Sequence, residues 1–423
     1  MPWVKVSESR WDRPANGMES YFISIENLTA SPFEGRHQYT INSRLKVDYD
    51  LSPSEKEKTL RHAWKQLRYL QPQIAATVEG VKKVYEIPDD LALESWLERI
   101  FIISNASDAE ELSRDVSPIL QATLYYLPRS SKLVIRAPHS LIEAVGMIML
   151  WYSYLTVLTS PRPPRADIMA KAQEIINTFV TTPGIGPKNE VGKVAPGPTQ
   201  RRELAFSVDT TQAIIACKNN GYSVTAAVHA AFIRTLVKQA YPAGDQAKYA
   251  TATNYSLRDL LPEPYNSTDY AAALFYTPCA FSLDSPETFS ETVRALDIAY
   301  KTTFRGNPEN VELSGSVTRA LYEKMQDPEV LAGPVPRDAL VSSLGGVERH
   351  LQHSYGAGDG SVVVRDFKFG IEVVVGYSMF FFYTFRDQLR LIYSFNEASE
   401  DPDNIQTYLE DMRNILQDEL RVQ

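Results

Sequence analysis

Residues 132–158 read KLVIRAPHSLIEAVGMIMLWYSYLTVL. Lys132 to Ala137 has the apolar, β-branched character of a strand. From Leu141 to Leu158 the chain is almost wholly apolar, with Glu143 near its start. Such a run sits at the short edge of a membrane span. A helix apolar on all faces is equally the signature of a buried core helix, and this one follows a strand inside a globular pattern, so burial is expected. Between strand and helix stand Pro138, His139 and Ser140. A side chain on that elbow is held by two rigid elements and can still face a cavity. His139 is therefore the candidate for chemistry.

Upstream, Tyr39 to Tyr49 alternates as a strand does. Ser52, Pro53 and Glu55 then form a helix start with a capping box. Leu60, Ala63, Trp64, Leu67 and Leu70 recur at helical spacing, and the helix should stop before Pro72. Short strands are expected at Ile74–Val78 and Lys83–Ile87 around Glu79-Gly80, and a further strand at Leu120–Leu127 turns through Pro128-Arg129-Ser130. Downstream, Ser160 to Arg202 is rich in Pro, Gly and charge, with one helix expected at Ala166–Phe179. The domain division follows: residues 1–185 form an N-terminal lobe, 186–202 a linker and 203–423 a C-terminal lobe. The second lobe begins with a strand at Glu203–Val208. A helix follows, ended by Gly221, then a second helix from Ser223 or Thr225 through Ala240. Strands are expected near Tyr249–Asn254 and Leu274–Leu283, and a helix at Phe289–Phe304. Further strands fall at Val362–Val364, Ile371–Val375, Met379–Thr384 and Gln388–Phe395, and a last helix at Asp403–Leu420. The two halves share a coarse order, as two related lobes would.

The 423 residues suffice for two domains, with 44% hydrophobic and 22% charged residues. A net charge of −9 argues against a nucleic-acid groove or an anionic membrane surface as the main partner. Cys217 and Cys279 alone make neither a disulfide framework nor a metal set. The N-terminus MPWVKVSESRWDR has no apolar leader run. A cytoplasmic, monomeric protein acting on a small molecule is expected.

Glu143 lies four residues after His139, a spacing no other histidine shares with an acid. Chance supplies about 0.7 such pairs at this composition, so the elbow, not the spacing, gives the pair its weight. Here the chain resembles the chloramphenicol-acetyltransferase-like superfamily of plant and fungal acyltransferases, trichothecene O-acetyltransferases and peptide-synthetase condensation domains. The mark of that family is His-x-x-x-Asp-Gly between a strand and a buried helix. Here it reads Pro138-His139-Ser140-Leu141-Ile142-Glu143-Ala144. Residues 60–78 (LRHAWKQLRYLQPQIAATV) resemble the family's first helix and the strand after it, and 221–239 (GYSVTAAVHAAFIRTLVKQ) the helix of the second lobe's core. Residues 251–264 (TATNYSLRDLLPEP) resemble the strand ending in an arginine, and 341–351 (VSSLGGVERHL) the strand reaching the active centre. Arg365 to Gly370 loosely resembles the plant enzymes' Asp-Phe-Gly-Trp-Gly turn. The likeness is nearest to the fungal trichothecene O-acetyltransferase-like group.

The resemblance implies an α/β fold of two lobes, each a mixed sheet flanked by helices, with an active-site tunnel between them. It implies an acyl-CoA cosubstrate, no tightly bound cofactor and no metal. His139 would take the proton of an alcohol attacking a thioester. Ser342 and Ser343 are the candidate donors to the oxyanion. Glu143 would be structural, paired with Arg258 from the other lobe, because a buried carboxylate needs such a partner. Two departures stand out: Glu143 replaces the family's Asp, and Ala144 its Gly. Pro138 stands where a condensation domain carries a second histidine, which argues against peptide-bond synthesis.

Other features have plainer readings. His350 and His353 lack a third ligand and read as a solvated face. His229 reads as core, and His62 as the polar side of a helix. Asp366 to Gly370 reads as a structural turn and Phe380 to Tyr383 as strand core. The sequons at Asn27 and Asn266 are short matches without a secretion signal. The leading function is O-acyl transfer from CoA to a hydroxylated secondary metabolite, of fungal type. The alternative is a repurposed cyclase or isomerase that folds a polyene, terpenoid or polyketide intermediate for ring closure without CoA, by orientation alone. A non-catalytic binding protein ranks third.

Overall fold

The computed structural model describes residues 3–49, 51–115, 117–159, 196–206, 210–240, 248–284, 288–304, 339–357, 360–374, 376 and 378–422. The helix expected at Ala166–Phe179 and residues 186–195 of the expected linker lie outside them. In chain order the strands are β1 (Val4–Lys5), β2 (Arg10–Pro14), β3 (Ile41–Tyr49), β4 (Thr77–Glu79), β5 (Lys82–Glu86), β6 (Phe101–Ile103), β7 (Thr123–Leu127), β8 (Lys132–Ala137), β9 (Thr199–Ala205), β10 (Lys248–Ser256), β11 (Tyr276–Asp284), β12 (Leu340–Gly346), β13 (Ser354–Tyr355), β14 (Val362–Ile371), β15 (Met379–Phe385) and β16 (Gln388–Asn396). The helices are α1 (Gly17–Ala30), α2 (Pro53–Leu70), α3 (Asp90–Ile100), α4 (Ala109–Asp115), α5 (Ala144–Thr159), α6 (Thr210–Asn219), α7 (Val224–Ala240), α8 (Phe289–Ile298) and α9 (Pro402–Leu420).

Contacts divide the chain into two compact units, each gathered from three stretches. The first is Met1–Glu174 with Ser256–Tyr276 and Val347–Ile371; the second is Ile175–Tyr255 with Thr277–Gly346 and Glu372–Gln423. Two stretches beyond residue 203 therefore group with the N-terminal part, where a division at 186–202 assigns them to the C-terminal lobe. For the second of them the reason is strand pairing. β14 is antiparallel to β3 along its length, from Val362 opposite Tyr49 to Ile371 opposite Ile41. This pairing also corrects the reading of Asp366 to Gly370 as a turn. Those residues are ladder positions, and the irregularity is a register shift between Val364 and Asp366, where a bulge locally bends the strand.

The first unit's main sheet runs β13-β14-β3-β8-β7-β6. It is mixed, because β6 and β7 are parallel while β8 pairs antiparallel with both β3 and β7. A smaller sheet runs β1-β2-β5-β4. Helix α5 packs on α2 and is buried on nearly every face, Met147, Ile148, Leu150, Trp151, Tyr154 and Leu155 completely. Its two fully buried polar aromatics, Trp151 and Tyr154, find buried acceptors, as such groups must. Trp151 Nε1 donates to Ser43 Oγ on β3 at 3.0 Å, and Tyr154 OH donates to the Leu60 carbonyl at 3.1 Å. The long apolar run is thus core, and no described helix is long and apolar enough to cross a membrane. The start of α2 is as the sequence predicts: Ser52 caps it and the box with Glu55 is closed.

The second unit's main sheet runs β12-β15-β16-β9, beside a two-stranded sheet of β10 and β11; β12 is parallel to β15 and the other pairs of the main sheet are antiparallel. Its core joins Ala226, Val228, Phe232 and Leu236 of α7 to Phe380 and Phe382 of β15 and Leu409 and Met412 of α9. Phe380 to Tyr383 are all buried, as strand core should be. β9 starts at Thr199, inside the stretch expected as linker, and the helix expected to reach Phe304 leaves α geometry after Ile298 for a π turn.

Candidate active site

β8 ends at Ala137, and the chain reverses at once. The Leu141 N–H donates to the Pro138 carbonyl at 3.0 Å, which makes His139 and Ser140 the two corner residues of a turn. The imidazole lies flat on the Phe22 ring, with centroids 3.9 Å apart and planes 7° apart. Tyr276 stands 5.9 Å away on a tilt, and Phe22 in turn meets Tyr39 edge-on. His139 keeps part of its surface accessible although protein surrounds it densely enough to push its pKa down to about 4, because burial disfavours the imidazolium. Nδ1 itself is buried and makes no hydrogen bond of normal geometry among the described residues. The residue's own main chain opposes the shift.

The turn is fastened by a residue that sequence reasoning did not single out. Ser140 donates its N–H to Glu26 Oε1 at 3.0 Å and its hydroxyl to Oε2 at 2.9 Å. Glu26 is buried, and burial raises its carboxyl to about 7, against the lowering effect of the Ser140 hydrogen bonds. Phe22 and Glu26 are one turn apart on the same face of α1. That helix was legible: Asn16 and Glu19 form a closed capping box ahead of Phe22, Ile23 and Ile25, which are buried. The signal was the Asn-x-x-Glu spacing before an apolar repeat.

Glu143 and Arg258 come together. Arg258 Nε donates to Glu143 Oε1 at 2.8 Å, and both side chains are 4% exposed. Arg258 also donates to the carbonyls of Tyr270 and Ala271, each at 3.2 Å. Glu143 is the N-cap of α5. Its carbonyl accepts from Met147 N–H at 2.8 Å, and its carboxylate accepts from Val145 N–H at 2.7 Å and Gly146 N–H at 2.9 Å. A carboxylate there meets the orphan amides and the positive end of the helix dipole, so the longer Glu does what an Asp cap would. Arg258 belongs to the first unit, not to a separate lobe as expected. Close packing appears at Gly146 instead of at the family's glycine, which is Ala144 here. A Cβ on Gly146 would stand 2.4 Å from the Ala271 oxygen.

Ser342 and Ser343 lie half-buried on β12 in the second unit. As neighbours on a strand they point to opposite faces. Ser343 Oγ is 3.3 Å from Thr225 Oγ1. His229 is buried in the same unit, its Nδ1 and Nε2 each 2.8 Å from a tyrosine hydroxyl, Tyr300 and Tyr249. It is a satisfied core histidine, and burial holds its pKa down at about 3. His62 is exposed beside Gln66. His353 pairs with Glu348 at 3.2 Å on the surface, and no group of three or more metal-ligating side chains occurs among the described residues.

No family model matches the sequence. Two curated proteins of Monascus ruber are similar along the whole chain. The acetyltransferase pigO is 26% identical over 100% of this chain and 99% of its own length. The O-acetyltransferase pigM is 26% identical over 100% of this chain and 88% of its own. Among solved structures, the trichothecene 15-O-acetyltransferase TRI3 of Fusarium sporotrichioides superposes with a TM-score of 0.78 at 14% identity, covering 98% of this chain and 97% of that one. With two mixed sheets flanked by helices, a histidine at the strand-to-helix turn, and these likenesses end to end, the chain has the fold of the chloramphenicol-acetyltransferase-like acyltransferases.

Proposed function

We propose that the chain is an acyl-CoA-dependent O-acyltransferase acting on a hydroxylated secondary metabolite, with His139 as general base. The acetyltransferase names of the Monascus relatives and of the Fusarium neighbour support O-acyl transfer in secondary metabolism. The observation that carries the residue assignment is a partly accessible imidazole fixed at a rigid turn and held neutral.

Nδ1 is buried, which leaves Nε2 to face the acceptor. The acceptor oxygen attacks the thioester carbonyl as its proton passes to Nε2. The tetrahedral oxyanion then collapses, the carbon–sulfur bond breaks, and the imidazolium returns the proton to the thiolate. Ester and free CoA thiol are the products. A pKa of about 4 makes His139 a weak resting base but fully neutral at pH 7, and a strong acid once charged. The drop from 6.5 corresponds to about 3 kcal/mol against the imidazolium. The oxyanion formed beside it offsets that term, so proton transfer belongs with carbon–oxygen bond formation. Ser342 and Ser343 remain the candidate oxyanion donors. Glu143 and Arg258 fix the start of α5, and with it the turn. The chain acts as a monomer in the cytoplasm.

The test has two readings on the purified full chain. Acetyl-CoA at a hundredfold excess over its Kd should stabilise the protein by about 2.7 kcal/mol, seen as a raised thermal midpoint. Free thiol should appear from acetyl-CoA in the presence of hydroxylated polyketide or terpenoid acceptors, and His139→Ala should remove nearly all of it. Wild-type thiol release by that variant would end the proposal.

A further inference from the structure

We propose that α1 is the positioning element of the catalytic turn: Glu26, through Ser140, fixes the backbone that carries His139, and Phe22, one helical turn earlier, fixes the plane of its ring. The inference rests on the reading of His139 as general base.

The turn creates a need. Pro138 has no N–H, the Leu141 N–H closes the turn, and the amides of the two corner residues leave the β8 ladder. Buried main-chain donors without partners are expensive. Any acceptor could satisfy one of them. Glu26 does more: it presents a fork, taking the Ser140 amide on one oxygen and the Ser140 hydroxyl on the other, while the His139 main chain also bears on it. Two bonds from one rigid carboxylate restrict rotation of the corner, which a single bond does not.

The carboxylate stands in a charged surrounding. Lys83 of β5 is completely buried and pairs with Glu19 of α1 at 2.7 Å. Glu19 is gripped at both oxygens by Arg13 of β2, at 2.7 and 2.6 Å. Lys83 also attracts Glu26. Two cations, Arg13 and Lys83, thus face two carboxylates, Glu19 and Glu26, and the set is neutral when Glu26 is ionised. The same helix sets the ring from the other side. The imidazole stacks within 7° of the Phe22 plane, and Phe22 is itself braced by Tyr39 and Tyr276. A misplacement of about 1 Å in such a group lowers rate by about 10²-fold.

The experiment uses the full chain labelled at histidine, with the His139 ring signal assigned by its loss in His139→Gln. Glu26→Ala should broaden or shift that signal and raise the pKa it reports. The same change should lower kcat for acceptor-dependent thiol release by about 10²-fold while KM for acetyl-CoA stays within about twofold. Glu26→Gln, which keeps the shape and one acceptor, should fold normally, lie between the two in kcat and lose any inflection of kcat near pH 7. Phe22→Leu should abolish the ring-current displacement of the His139 signal. If Glu26→Gln and Glu26→Ala both leave the ring signal and kcat unchanged, or lower the melting temperature alone, the inference is overturned. Turnover surviving in His139→Ala would instead remove the general-base reading, and the ring signals would still decide whether α1 holds the imidazole.

Discussion

Glu143→Ala removes one partner of a buried ion pair and the N-cap of α5 together. Breaking a buried pair from one side is worth about 3–5 kcal/mol, because the partner remains buried and uncompensated. Loss of the cap adds about 1 kcal/mol. The total, about 4–6 kcal/mol, approaches the whole stability of many domains. Glu143→Gln keeps a capping oxygen and should lose about 3 kcal/mol. Arg258→Met should be comparable, since Glu143 retains two amides and the helix dipole, while Tyr270 and Ala271 lose their donors. The double variant Glu143→Gln with Arg258→Met should fall short of the sum by about 2 kcal/mol or more. The assay is urea unfolding followed by tryptophan fluorescence. All five tryptophans (Trp3, Trp11, Trp64, Trp96 and Trp151) belong to the first unit, so the signal isolates the unit that holds the pair. A coupling below about 1 kcal/mol, or one that disappears in 1 M salt as an exposed pair's would, would mean that the pair does not act as a buried one.

Two further outcomes follow from the same site. Gly146→Ala forces a Cβ to 2.4 Å from the Ala271 oxygen, so the Arg258 loop must move. A loss of about 1–3 kcal/mol is expected in the same fluorescence assay, and an unchanged midpoint would show that the loop yields freely. Stability against pH should be shallow because two buried groups oppose each other. His139 is depressed from 6.5 to about 4, so its contribution is present above 6.5 and lost as pH falls toward 4. Glu26 is raised from 4.5 to about 7, so its contribution is present below 4.5 and lost as pH rises toward 7. His139→Ala should therefore unmask a decline in melting temperature between pH 4.5 and 7, and Glu26→Gln a decline on acidification from 6.5 to 4. Parallel curves for the wild type and both variants would contradict it.

Much of the architecture could be read from local signals. The Ser52–Glu55 box, the glycine after α6 and the strand–turn–helix around His139 are each set by neighbours in sequence, and each is where the pattern puts it. What was misread depends on partners far along the chain. Asp366 to Gly370 carries turn-like residues, yet β3 supplies a ladder that makes it strand. α1 escaped notice although its caps were visible, because its apolar face is interrupted by Glu19 and Glu26, whose burial makes sense only once Arg13, Lys83 and Ser140 are in place. For the same reason His139 and Glu143 could be named from spacing and resemblance, while Phe22 and Tyr276 could not. A stacking partner leaves no mark at a fixed offset.

The ladder between β3 and β14 joins residues more than 300 positions apart in the chain. Its consequence concerns synthesis. As the polypeptide leaves the ribosome, the β3 edge opposite β8 must wait, its amides unpaired, until Ile371 has emerged. A fragment ending after α5 would keep that edge bare and would offer it to any other extended chain. Efficient production therefore calls for slow, full-length folding at low temperature or with a chaperone present, and shortened versions of this protein should collect as aggregates.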